Sequence, residues 1–151
     1  MLAYVFWHRP RADVEVEEYE AALRGFHASL GGVPSATFRL AALPFGDRGG
    51  GGYEDWYLVE DWTALGELNA TAVDATHRPP HDAAARSADE GWGGVYRLLR
   101  GEAEPPAGAR WLDRAPEQVS EAALWQRQMV LGPAPEFCLV EAAQPGRERV
   151  A

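Results

Sequence analysis

Aromatic, aliphatic and β-branched residues alternate with polar ones in four segments of the first hundred residues. These segments are 3–9, 35–45, 56–62 and 95–101. Alternation over a short stretch that is rich in such residues is typical of half-buried strands. The pattern therefore predicts four strands.

A helical pattern separates the first two strands. Asp13 is the predicted N-cap, and Gly31-Gly32 is the predicted end of this helix. Apolar residues between these limits recur at steps of three and four, which places them on one side of a helix. They are Val16, Tyr19, Leu23, Phe26 and Leu30.

A second helix is predicted between the third and fourth strands, with Thr63 as its cap. The Pro79-Pro80 pair is predicted to break it, because proline lacks the backbone N–H and restricts the residue before it. A short helical piece over 81–90 is predicted to follow. The apolar positions of the second helix are Leu65, Leu68 and Ala72.

The order β-α-β followed by β-α-β predicts an α+β domain over 1–101. It would be a ferredoxin-like βαββαβ unit, with an antiparallel sheet in strand order 4-1-3-2 and both helices on one face. Residues 102–151 are predicted to be a C-terminal extension with a linker, a helix over 116–126 and a short strand or arm over 136–142.

Alternation also divides the predicted sheet into two faces. One set is apolar and is predicted to pack on the helices: Val5, Trp7, Phe38, Leu40, Tyr57, Val59, Tyr96 and Leu98. The other set combines bulky rings with charge: Tyr4, Phe6, His8, Thr37, Arg39, Trp56, Leu58, Glu60, Trp62, Val95, Arg97 and Leu99. Such a surface does not normally stay exposed. We expect a second subunit to cover it in a homodimer, or else the C-terminal segment with Trp111 and Trp125.

The segments "VEEYEAALRGFHASL" and "WYLVEDWTALGELNA" resemble EthD-type proteins of the dimeric α/β-barrel superfamily. That superfamily also includes antibiotic biosynthesis monooxygenases, muconolactone isomerases and haem-binding peroxidases. The resemblance covers about residues 2–100. It implies two sheets that close into a barrel in a dimer, with a small-molecule pocket between sheet and helices. It maps the family's histidine to His27 and transfers no reaction, because this architecture supports many.

The candidate catalytic residues are His27 and His8, since imidazole titrates near neutral pH and suits general acid–base chemistry. Their alternatives are a half-buried helix residue and a solvated strand end. Arg39, Arg97 and Glu60 are predicted to orient a substrate carboxylate or enol, because guanidinium matches planar oxyanions. In the predicted strand order, Arg39 would lie beside Glu60, and Arg97 would lie beside Phe6 or His8. The alternative for these three charged residues is a charge network inside the dimer. An apolar wall for an aromatic ligand is predicted from Trp56, Trp62 and Tyr4.

A metal site is the less favoured interpretation of "HRPPHD". His77 and His81 have a spacing that zinc sites use, and Asp82 is a third possible ligand. The two prolines, however, prevent the regular helix that would align the histidines. We therefore expect no metal, and no cofactor motif is apparent. The glycine-rich segment 46–55 is predicted to be a flexible loop, because no helix follows it to form a nucleotide site.

Composition narrows the classes of partner. The 151-residue chain carries 23 acidic and 14 basic residues, for a net charge of −9. This balance disfavours nucleic acid and anionic membrane surfaces. No apolar run approaches the roughly 20 residues of a membrane span, so we expect a cytoplasmic protein. Cys138 lies in the apolar run "FCLV" and is predicted to be a buried, inert thiol.

Two functional hypotheses follow from these features. The first is a small-molecule protein that acts as a cofactor-independent monooxygenase, isomerase or cyclase on an aromatic or enolisable substrate. The second is a non-catalytic ligand-binding or assembly protein, in which the same charges only stabilise an interface. Both stay open at this point.

Overall fold

The computed structural model describes residues 1–44, 50–74, 78–117, 121–132 and 134–151. The described residues form eight strands and three helices. In chain order these are β1 Leu2–Pro10, α1 Val16–Ser29, β2 Ser35–Leu40, β3 Gly52–Val59, α2 Trp62–Ala72, α3 Arg78–Ser87, β4 Ala88–Arg100, β5 Gly108–Leu112, β6 Leu124–Leu131, β7 Phe137–Glu141 and β8 Arg147–Arg149.

All eight strands belong to one antiparallel sheet in the order β5-β7-β6-β4-β1-β3-β2-β8. The sheet curls until its two ends approach each other. Arg147 Nε in β8 donates a hydrogen bond of 3.2 Å to the carbonyl oxygen of Pro106, which precedes β5. The result is a nearly closed barrel built from a single chain.

This architecture corrects the predicted fold class. The first four strands do lie in the order β4-β1-β3-β2, but the α+β ferredoxin-like fold, the dimeric α/β barrel and the resemblance to EthD-type proteins are wrong. Four further strands enlarge the sheet to eight within one chain, and three helices accompany it. The quoted resemblance depended on short strand-to-helix patterns, which many folds share.

The C-terminal segment explains most of that error. The helix predicted over 116–126 is wrong, because β6 begins at Leu124 and 121–123 are not helical; residues 118–120 lie outside the described part. The short strand predicted near 136–142 is confirmed as β7.

One sheet face forms the interior of the barrel, and β3 is in a different register from the one predicted. Trp56 lies opposite Val5 and faces the interior, whereas Tyr57 lies opposite Tyr4 on the other face. The apolar set was predicted to pack on the helices, and this is wrong for most of its members, although Val59 does pack against Leu65 and Leu68 of α2. Its β1 members Val5 and Trp7 pack instead with residues of the C-terminal strands such as Trp125. Cys138 is buried there, as predicted.

The three helices lie over the other face, which carries Tyr4, Phe6 and His8. The opposite face of the sheet forms the barrel interior, and residues of the C-terminal strands β5, β6 and β7 complete this interior. The chain itself covers the surface that was expected to need a partner, so the described residues present no open sheet face of the predicted kind. The homodimer itself stays a prediction.

The helix ends differ in detail from the predictions. Glu15, rather than Asp13, is the N-cap of α1, and the helix ends before Gly31, whose φ is +39°. Asp61, rather than Thr63, caps α2 and accepts a hydrogen bond of 2.9 Å from Ala64 N. Pro79-Pro80 lies in the first turn of α3, where proline is tolerated because no intrahelical N–H is needed. None of the described helices is long and apolar enough to cross a membrane.

Candidate functional site

A cavity of about 610 Å³ lies between the sheet and the three helices. This volume is within the range of small-molecule sites, about 300–1,000 Å³. The helices contribute mainly apolar side chains. The sheet contributes the floor, which includes Tyr4, Phe6, His8, Asp55 and Tyr57 of β1 and β3.

A tyrosine, a histidine and an aspartate form a connected row at this floor. Tyr19 Oη on α1 lies 2.5 Å from His8 Nδ1. On the other side of the ring, His8 Nε2 lies 3.2 Å from Asp55 Oδ2, in a direction that forms no hydrogen bond. His8 is only 2% exposed. The Tyr19 hydroxyl, the His8 imidazole and the Asp55 carboxylate therefore lie in sequence from the cavity wall to the buried side chain of Asp55.

Asp55 accepts hydrogen bonds from two further hydroxyl groups. Thr37 Oγ1 donates to Oδ1 at 2.6 Å, and Tyr57 Oη donates to Oδ2 at 2.9 Å. Burial by itself disfavours the charged form of Asp55, but the positive charge that His8 and His27 carry when protonated outweighs it. They hold the pKa of the Asp55 carboxyl well below its ordinary value. Asp55 therefore stays ionised at neutral pH.

His27 lies behind Asp55 and is not among the residues that line the cavity. Its Nε2 is 2.7 Å from Thr37 Oγ1 and 3.8 Å from Asp55 Oδ1, and its Nδ1 is 2.9 Å from Ser35 Oγ. Because the Thr37 hydroxyl donates to Asp55, it accepts from His27 Nε2. His27 is therefore placed to influence the Asp55 carboxylate rather than to contact a ligand in the cavity.

Three tyrosines around Asp55 keep their protons. Burial, followed by the negative charge of Asp55, raises the pKa of Tyr19, Tyr57 and Tyr4 above that of an ordinary phenol. Each of them is a neutral phenol at physiological pH. Free phenolate at this site is therefore strongly disfavoured.

The structure brings together only some of the predicted site residues. His8, Tyr4 and Trp62 line the cavity, and His27 contacts its floor from behind. Trp56 lies on the opposite face of the sheet, in the barrel interior.

The three predicted charged residues are outside the cavity lining. Arg39 pairs with Glu20 at 3.0 Å and with Glu148, and it lies across from Tyr53 rather than Glu60. Arg97 lies across from Leu2 rather than Phe6 or His8. Arg97 and Glu60 are both exposed. The predicted neighbours were wrong because strand register was assumed rather than determined.

The "HRPPHD" segment forms no metal centre in the described residues. His81 lines the cavity and packs on Phe26, with ring centroids 5.5 Å apart, while its Nδ1 lies 3.2 Å from Asp82. His77 lies outside the described residues. Elsewhere in the described chain, no group of three His, Cys, Asp or Glu side chains is placed to hold a metal ion.

Sequence reasoning missed Asp55, Tyr19 and Thr37 as members of one polar cluster. Asp55 was assigned to a flexible loop because glycines precede it, but β3 already begins at Gly52. The available signal was the alternation in "YEDWYLV", which continues the strand backwards through Asp55.

No family model matches this chain. No curated protein and no solved structure matches it either. Its function is therefore argued from the cavity and the polar cluster.

Proposed function

We propose that this chain binds a small, largely apolar molecule in the cavity and transfers a proton to or from it through Tyr19 and His8. The reaction class is that of a cofactor-independent isomerase or cyclase acting on an aromatic or enolisable substrate. The observation that carries this proposal is the 2.5 Å contact between the cavity-lining Tyr19 hydroxyl and His8 Nδ1, with Asp55 behind the same ring.

The direction of proton transfer follows from the charge on Asp55. An ionised carboxylate beside Nε2 places the proton of a neutral imidazole on Nε2, so Nδ1 accepts from Tyr19. When the substrate gives a proton to the Tyr19 oxygen, the phenol's own proton passes to His8 Nδ1. Asp55 then stabilises the imidazolium, as the carboxylate does in hydrolase triads. Because the pKa of Tyr19 is raised, the relay avoids a free phenolate.

The walls of the cavity suit a flat, apolar substrate. The rings of Tyr4 and Tyr57 are stacked with centroids 6.0 Å apart, and Phe6 lies 6.2 Å from Tyr4. Aromatic rings pack well against such surfaces. An environment with little water also strengthens the interaction between Asp55 and the imidazolium of His8.

A second candidate is a non-catalytic ligand-binding protein. It is favoured by the way in which Asp55, Thr37 and His27 connect β3, β2 and α1 through buried hydrogen bonds. A satisfied polar network of this kind also stabilises a protein core without any chemistry.

Hydrogen exchange of a ketone distinguishes the two candidates. We would incubate 2-acetylnaphthalene with the protein in D₂O and follow loss of the methyl proton signal by NMR. The wild-type chain should accelerate exchange over buffer, and His8→Gln should reduce this acceleration at least about 100-fold, as loss of general acid–base catalysis does. Arg39→Gln is the control, because Arg39 lies outside the cavity lining, and it should leave the rate unchanged. Binding of the ketone without exchange would instead favour the second candidate.

A further inference from the structure

We infer that the cavity selects an uncharged molecule carrying one hydroxyl group on an aromatic or enol carbon. This inference rests on the proposed function, because it takes the same cavity as the binding site. It adds the charge and the hydrogen-bonding character of the ligand, which follow from the described residues around the floor.

Two tyrosines that line the cavity use their hydroxyl protons in hydrogen bonds inside the protein. The ionised Asp55 carboxylate can only accept hydrogen bonds, and it accepts one from the Tyr57 hydroxyl and one from the Thr37 hydroxyl. In the proposed relay Nδ1 of His8 is the acceptor, so the Tyr19 hydroxyl donates its hydrogen bond to the imidazole. Tyr19 and Tyr57 are two of the three tyrosines that line the cavity, and their hydroxyl groups donate into the protein while their oxygens retain lone pairs. A ligand that donates a hydrogen bond satisfies them, whereas one that only accepts does not.

The charges around the cavity disfavour an anionic ligand. The chain contains no lysine, and none of the described residues that line the cavity is an arginine. The carboxylate at the floor is Asp55. A carboxylate or phosphate ligand would place a second negative charge beside it in an apolar cavity whose described lining contains neither lysine nor arginine, which is unfavourable.

The surroundings of the Asp55 carboxylate disfavour a cationic ligand. An ammonium ligand needs carboxylate oxygens with room for new donors. Oδ1 of Asp55 already accepts from Thr37 and has His27 Nε2 at 3.8 Å. Oδ2 accepts from Tyr57 and has His8 Nε2 at 3.2 Å. Each oxygen thus accepts one hydrogen bond and has an imidazole beside it, and Asp55 is only 4% exposed. An ammonium group has little room to approach the carboxylate, so an uncharged ligand is favoured.

Three probes with one aromatic frame test this inference by calorimetric titration at neutral pH. They are 2-naphthol, 2-methoxynaphthalene and 2-naphthoate. On the wild-type chain, 2-naphthol should bind at least about tenfold more tightly than its methyl ether, the ratio that one added hydrogen bond supplies. The carboxylate 2-naphthoate should bind most weakly of the three.

Two tyrosine variants test which side chains cause the preference for 2-naphthol over its methyl ether. Tyr19→Phe and Tyr57→Phe each remove one acceptor oxygen and should reduce the naphthol-to-ether ratio. Tyr96→Phe is the matched control, because the Tyr96 hydroxyl donates to the Pro135 carbonyl in the barrel interior at 2.8 Å. It should keep the wild-type ratio. Thermal melting of each variant checks that it is folded, and the wild-type titrations decide the question even if one variant is not.

The inference is overturned if the ether binds as tightly as 2-naphthol, if 2-naphthoate binds most tightly, or if none of the probes binds. These outcomes are separable from failure of the proposed function. Selective binding of 2-naphthol without ketone exchange would contradict the proposed catalysis and support the inferred ligand class. Ketone exchange without a preference for 2-naphthol would support the proposed catalysis and contradict the inferred ligand class.

Discussion

Glu54 and Asp55 are neighbours in β3, and their carboxylates point to opposite faces of the sheet. Asp55 faces the cavity beside His8. Glu54 faces the barrel interior, is 0% exposed and accepts hydrogen bonds from one guanidinium and three indoles. Its donors are Trp7, Trp56, Trp111 and Arg147. Adjacent residues of one strand therefore belong to the barrel core and to the candidate site.

Glu54→Gln should destabilise the fold strongly. The side chain of Arg147 is only 4% exposed, and the substitution would leave its charge buried without a counter-ion. Removing one partner of a buried ion pair costs about 3–5 kcal/mol in free energy of unfolding, which urea denaturation measures. Glu148→Gln is the control, because Glu148 pairs with Arg39 at the surface and is largely exposed. Equal effects of the two substitutions would contradict the role assigned to Glu54.

Strand positions could be predicted from the sequence better than strand partners. The alternation in β1 and β2 placed Val5 and Phe38 on one face correctly, since both belong to the same buried cluster. The assignment failed at β3, where Trp56 and Tyr57 were exchanged between faces. A shift of one residue reverses every side chain of a strand. The glycines before Tyr53 concealed where β3 begins, and this concealed Asp55 as well.

Only some of the residues that line the cavity could be predicted from the sequence. His8 could be placed on the same face as Tyr4 by alternation, and both line the cavity. The contact of Tyr19 with His8 depends on how α1 crosses the sheet, which periodicity does not specify. The buried Glu54 similarly depends on donors from β5 and β8, and such long-range partners are not encoded in any local pattern.

Tyr19→Phe should separate catalysis from stability. The phenyl ring keeps the packing on Leu23 and Tyr53, but the proton path to His8 is lost. Ketone exchange should fall at least about 100-fold, whereas the free energy of unfolding should fall by about 1 kcal/mol, as for one hydrogen bond. Tyr96→Phe should show the same small loss of stability and no loss of exchange. If both variants retain wild-type exchange, Tyr19 is not part of the relay.

The stability contributed by Asp55 should depend on acid pH. Its pKa in the folded chain is lowered, so the folded state binds protons at this group less readily than the unfolded state, in which the pKa is about 3.9. The contribution is therefore complete above that value and decreases as the pH falls further. The stability difference between wild type and Asp55→Asn, measured by urea unfolding, should shrink from about pH 5 to about pH 3. A difference that stays constant or grows over this interval would show that Asp55 is not held ionised in the fold.

Gly91→Ala should narrow the cavity. A Cβ atom at Gly91 would lie 2.3 Å from Cζ of Phe6, so the ring must move, and it lines the cavity. We expect the affinity for 2-naphthol, measured by calorimetry, to fall several-fold while the fold is retained. Gly25→Ala is the matched control, because nothing lies within 4 Å of its added methyl group. In the interior of α1 it should raise stability by about 0.5–1 kcal/mol and leave affinity unchanged. Undiminished naphthol binding by Gly91→Ala would mean that Phe6 does not contact the ligand.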